Sequence, residues 1–131
     1  MNARSIAIAA LVLCAGCEAP GPAPQEAPFA PRYLPVETTL LADDLVSFAV
    51  VMEGARGPGD LRDFTDCAAA QYALIRGVNF LRHVRTNVAE AGRVWTADAA
   101  YTISREMPRG DQTLNATATV AACREAGIPT V

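Results

Sequence analysis

An α+β fold, one helix packed on a small antiparallel sheet in the order β-α-β-β-β, follows from three features of the sequence. A continuous apolar run spans 45–52, a segment with helical spacing spans 61–76, and every later apolar pattern has a period of two. The run 45–52 (LVSFAVVM) ends at Glu53-Gly54 and suits a buried strand. Gly54, Gly57, Pro58 and Gly59 break it, and Asp60 or Asp63 is placed to cap the helix that follows. Phe64, Cys67, Ala70, Ala73 and Leu74 then recur on one side of that helix, and Gly77 marks its stop. Ala69, Ala70 and Ala73 are small enough to let the helix lie close on a sheet.

After Gly77 the period changes. Val78, Phe80, Val84 and Val88 alternate with Asn79, His83, Arg85 and Asn87, and Trp95, Ala97, Ala99, Tyr101 and Ile103 alternate with Thr96, Asp98, Ala100, Thr102 and Ser104. A loop over 89–92 sets Val84 against Ala97 and Phe80 against Tyr101. A second loop over 108–111 sets Ile103 against Ala116, Tyr101 against Ala118 and Ala99 against Val120 on the same face. The expected result is a three-stranded meander with one solvated side. Arg82 and Arg105 interrupt the inner pattern and belong near edges, where their stems can snorkel. The element order resembles the α+β grip of cystatin-like domains, although the cystatins' protease-binding Gln-x-Val-x-Gly is absent.

The chain has 131 residues, and after residue 35 enough remains for one small domain but not two. Residues 1–16 combine one basic residue (Arg4), a short apolar stretch from Ile6 to Leu13, and the sequence Leu13-Cys14-Ala15-Gly16 before Cys17. That pattern resembles the lipobox of bacterial lipoprotein precursors, with Cys14 standing where leucine is usual. The resemblance implies that residues 1–16 are a signal peptide and that Cys17 is acylated as the first residue of the mature chain. The apolar stretch is well short of the ~20 residues needed to span a bilayer. Glu18 is not the aspartate that the resemblance associates with inner-membrane retention, which implies an outer-membrane anchor facing the periplasm. Residues 17–35 then form a stalk, with Pro20, Pro22, Pro24, Pro28, Pro31 and Pro35 favouring an extended polyproline conformation. The domain proper is expected at 36–131. A helix end such as Ala73-Leu-Ile-Arg-Gly77 followed by Phe80 is similar to small proteobacterial lipoproteins, which carry no activity to transfer.

Composition narrows the chemistry. All 11 basic residues are arginine, which excludes Schiff-base lysines and the P-loop lysine, and the single histidine, His83, excludes paired-histidine zinc sites. A formal charge of −3 without a basic run argues against nucleic acid. No cofactor, metal ligand set or catalytic constellation emerges. In the glycine loop Pro58 removes an amide donor and no parallel βαβ unit follows, Arg109-Gly110-Asp111 is ordinary hairpin chemistry, and Asp60, Asp63 and Asp66 serve capping better than cation binding.

In an exported chain Cys67 and Cys123 are expected to form a disulfide. Strict alternation after Leu114 turns Cys123 away from the helix, so the bond requires the last strand to end or bulge at Ala121-Ala122. The competing use is Cys67 as a nucleophile with His83 as its base. On the solvated side the register drawn above places His83 opposite Asp98 and Arg85 opposite Thr96, beside Asn87. These five residues form the candidate binding face for an envelope protein or glycan. The expected function is a membrane-anchored binding or structural module of the cell envelope, with an inhibitor of an envelope hydrolase as its sharper form and a small hydrolytic enzyme as the alternative.

Overall fold

A computed structural model describes residues 28–131, together with Gly16 and Gly21; the segment expected to be a signal peptide, apart from Gly16, and Cys17 lie outside the described residues. Eight elements follow in order: β1 (Arg32–Tyr33), β2 (Glu37–Leu40), β3 (Leu45–Glu53), α1 (Pro58–Ile75), β4 (Phe80–Ala91), β5 (Val94–Ser104), β6 (Thr113–Asn115) and α2 (Ala116–Ala126). The fold is α+β, with both helices on one antiparallel sheet of order β1-β3-β5-β4-β6, in which β2 also pairs with β3. The anticipated β-α-β-β-β order is present as β3-α1-β4-β5-β6. No helix among the described residues is long and apolar enough to cross a membrane.

The central strands form because their small and β-branched side chains suit a pleated surface buried on the helix side. Val46, Phe48, Val50 and Met52 of β3 and Ala97, Ala99, Tyr101 and Ile103 of β5 are buried there against α1. Leu61, Phe64, Ala68, Ala69 and Ala73 supply the helix's side of the core, and four alanines of α1 (68, 69, 70 and 73) are fully buried, which keeps helix and sheet close. The N-cap of α1 is Gly57, not an aspartate; Asp60 instead sits in the first turn and accepts the Arg56 backbone N–H at 2.8 Å. At the other end Gly77, with φ +76°, donates to the Leu74 carbonyl while Val78 donates to that of Ala73, the paired bonds of a Schellman stop.

Two expectations of the meander are corrected. The β4–β5 loop is only two residues, Gly92-Arg93, because Gly92 takes φ +62° and closes a tight turn between the paired Ala91 and Val94. A bulge between His83 and Arg85 shifts the pairing further, so Leu81 and His83 face inward with Ile103 and Tyr101, while Phe80 and Arg82 turn outward. The last strand is also much shorter than expected. Only Thr113–Asn115 is extended, and it pairs with Phe80–Arg82 of β4 rather than with β5.

From Ala116 the chain is helical. Ala116, Val120 and Cys123 are buried at spacings of four and three, the inner face of α2. Asn115 caps that helix, its side chain accepting the Ala118 N–H at 3.0 Å, and Gly127 at φ +69° ends it with the same Schellman pair, Gly127 to Arg124 and Ile128 to Cys123. Helical geometry turns Cys123 toward α1, where it forms the disulfide with Cys67 at a Cα separation of 5.9 Å. No bulge at Ala121-Ala122 is needed.

Residues 28–35, the end of the segment read as a stalk, lie along the domain. Tyr33 pairs with Met52 and packs edge-on against Phe64, and the Arg56 guanidinium covers the Phe29 ring at 3.6 Å from its centroid.

Candidate functional site

The helices cover one side of the sheet, and the outward side of β3, β5 and β4 carries most of the residues expected to form a binding face. Arg85, Asn87, Thr96 and Asp98 all point outward. The Arg85 guanidinium bonds the Asp98 carboxylate at 2.7 Å, with both side chains nearly half exposed, and Asn87 lies directly across from Asp98. Thr96 faces Ala89 rather than Arg85, and the ion pair is diagonal, because the two-residue turn displaces the strand from the expected register. The floor is built of small side chains. Ala49 lies opposite Asp98 on β3 and Ala89 opposite Thr96 on β4, which leaves a shallow hollow of about 370 Å³ bounded by Val51, Asn87, Thr96 and Asp98.

His83 does not belong to this face. The bulge sends it to the helix side, opposite Tyr101, where its ring meets the tyrosine edge-on at 5.3 Å and its Nε2 lies 2.6 Å from the Thr86 hydroxyl. Burial, aided by the Arg62 charge, holds its pKa below the ordinary histidine value.

Beside it is a polar cluster that the periodicities did not reveal. Tyr101 is fully buried, and its hydroxyl donates to Asp66 at 2.5 Å and lies 3.0 Å from the Thr65 hydroxyl. Thr65 is also 3.0 Å from the Arg62 carbonyl. The two hydroxyl protons suffice if Tyr101 donates to Asp66 and the Thr65 proton is shared between the Tyr101 oxygen and that carbonyl. Burial raises the Asp66 pKa, opposed by the Tyr101 hydrogen bond and then by Arg62, whose Nε is 3.9 Å away. Arg62 also bonds the Gln112 side chain, and the Gln112 carbonyl accepts the His83 N–H at 3.0 Å. The sequence signal was present: Thr65 and Asp66 are polar residues entering the buried side of an alanine-rich helix, directly after the core Phe64.

This cluster fastens α1 to the sheet. Burial and the neighbouring Asp66 charge push the Tyr101 pKa far up, so the phenol stays protonated. Cys67 is held in the disulfide, which removes it as the nucleophile that His83 could serve. The two cysteines line one wall of a groove of about 260 Å³ between α1 and α2, with Asp63, Asp66, Thr119 and Ile128.

Comparison with known proteins places this arrangement in a family. Residues 33–127 match the family model of the YNQ4 C-terminal domain. The chain is similar to the uncharacterized 26.9 kDa protein in the nqo8 5′ region of Paracoccus denitrificans, 26% identical over 88 residues, which cover 67% of this chain and 34% of that protein. The chain thus spans about a third of that relative's length. No solved structure matches.

Proposed function

The chain belongs to the YNQ4 C-terminal domain family, and from that premise we propose that it is a lipid-anchored envelope protein whose domain binds a protein or glycan of the periplasm through the outward face of its sheet. The observation that carries this reading is the asymmetry of the fold: both helices pack on one side, and the other side presents Arg85, Asn87, Thr96 and Asp98 around a floor of small residues. A flat, wet face with an ion pair already satisfied within the chain suits recognition of a broad polar surface. The Cys67–Cys123 bond supports an oxidising compartment, as the lipobox does through Cys17. Stable anchoring then rests on the acyl chains, at ~0.8 kcal/mol per buried methylene. An inhibitor of an envelope hydrolase is the narrower form of the same reading.

Two variants test it separately. Cys17→Ser should abolish lipid labelling and move the domain out of the membrane fraction, or leave the precursor uncut; unchanged lipid labelling refutes the anchor. Asn87→Arg/Thr96→Arg places bulk and charge in the hollow without touching the core, and should abolish cross-linking to envelope components that the parent chain captures in cells. Capture that survives this variant refutes the outward face as the binding surface.

A further inference from the structure

We propose that the free edge of β4 is a self-association edge, through which two copies of this chain pair their β4 strands antiparallel about a two-fold axis at Val88. The strand β4 is 12 residues long, but β6 covers only Phe80–Arg82, the Gln112 carbonyl takes the His83 N–H, and past the bulge between His83 and Arg85 the pairing on this edge has ended. Among the described residues no strand lies against the outer edge of 84–91. The opposite edge of the sheet is broken into β1 and β2, of two and four residues, so among the described residues the stretch 85–91 of β4 is the longest free edge. Such an edge is ordinarily covered or charged.

The backbone pattern dictates how it can be covered. Ala91 and Val94 close the two-residue turn, so Ala91, Ala89, Asn87 and Arg85 direct their N–H and C=O groups to β5. Thr86, Val88 and Glu90 therefore direct theirs outward. Antiparallel pairing centred on Val88 sets Val88 against its copy and Thr86 against Glu90, so outward donors and acceptors meet in both directions. The side chains agree with this register. Val88, 37% exposed, is covered by its own copy, and Glu90 meets a threonine hydroxyl. Arg85 faces Ala91 and stays with Asp98 of its own chain. A register centred on residue 90 would oppose two glutamates, which is destabilising, and one centred on residue 85 would need backbone groups already bonded to β5. The axis is perpendicular to the sheet, so the outward faces of both copies lie on the same side of one continuous sheet. The inference rests on the edge alone and stands apart from what that face binds.

Sedimentation equilibrium on the purified full chain tests it over a hundredfold concentration range. The expected result is a reversible dimer. Val88→Pro removes one outward N–H and should weaken the dimer at least tenfold, with little change in the melting temperature at concentrations where the parent is monomeric, since that group is unused within the chain. Val88→Cys should give a covalent dimer under mild oxidation, because facing Cα atoms in such a pair lie about 5.5 Å apart, within disulfide range. Arg85→Cys should not, its copies being six residues out of register. If Val88→Pro does not fold, Val88→Arg supplies the same comparison. A chain that is monomeric throughout, a dimer undiminished by both substitutions at Val88, or cross-linking through position 85 as readily as through 88 overturns the proposal. The monomeric outcome would leave the edge to an extended segment of a different protein.

Discussion

Removing the Cys67–Cys123 bond is the most quantitative perturbation available, because the bond joins the two helices across 56 residues of chain. In the chain-entropy treatment, closing a loop of that length removes ~14 cal/mol/K from the unfolded ensemble, or ~4 kcal/mol at 25 °C. A domain of this size usually has ~5–15 kcal/mol in total, so the staple is a large share of it. At ~4–8 °C per kcal/mol for a domain near 100 residues, loss of the bond should lower the melting temperature by about 15–30 °C. Both cysteines are 3% exposed, so replacement by alanine adds a small packing loss. The assay is thermal unfolding by circular dichroism, with parallel urea titrations, on the parent chain, Cys67→Ala, Cys123→Ala and the double variant. The singles and the double should coincide within ~1 kcal/mol, since both cysteines serve one bond. A fall of under ~5 °C in the double variant would falsify the account of the bond as a stabilising constraint. Free reaction of both thiols with an alkylating agent in freshly isolated chain would show that the bond does not form.

Removing the Tyr101 hydroxyl with Tyr101→Phe leaves the buried Thr65 and Asp66 oxygens short of a partner and should cost ~1–3 kcal/mol in urea unfolding. Two of the three carboxylates of α1, Asp66 and Asp60, should give opposite pH dependences. Asp66, raised above the usual 3.8 by burial, favours the folded state below that value and loses the contribution as pH climbs through its folded pKa, whereas Asp60, lowered by the Arg56 side chain, contributes above 3.8 and loses it as pH falls. In urea titrations from pH 3 to 7, relative to the parent chain, Asp66→Asn should therefore gain stability with rising pH and Asp60→Asn should lose it; the same sign for both refutes the assignment. Asn115→Ala should cost ~1 kcal/mol by leaving the first turn of α2 uncapped, read from the same titrations. Arg85→Ala should change stability by less than ~1 kcal/mol, because its partner Asp98 is nearly half exposed and water replaces the interaction.

Several features were legible in the sequence because they depend on local pattern alone. The apolar run that became β3, the alanine-rich helix stopped by Gly77, and the alternation that buries Ala97, Ala99, Tyr101 and Ile103 each express one period over a long enough stretch. The cysteine pairing needed no geometry, only two partners and the expectation of export. Arg85, Asn87, Thr96 and Asp98 were recognisable as an outward set because they lie between apolar residues of β4 and β5.

Other features were decided only by tertiary contacts. The segment after Asn115 carries apolar side chains at 116, 118 and 120, which fits a strand, and at 116, 120 and 123, which fits a helix; local pattern does not choose between them. Packing against α1 does, because only the helix buries Ala116 and Val120 and also turns Cys123 to Cys67. The bulge before Arg85 is of the same kind. A regular β4 would turn Phe80 and Val84 toward α1 and leave Leu81 and His83 outside, whereas one extra residue puts Leu81 into the core beside Ile103 and sends His83 to Tyr101. A period of two carries no information about which strand hosts an extra residue or where a turn closes. The inward place of His83, and the diagonal meeting of Arg85 with Asp98, were therefore fixed by how the sheet packs on its helices.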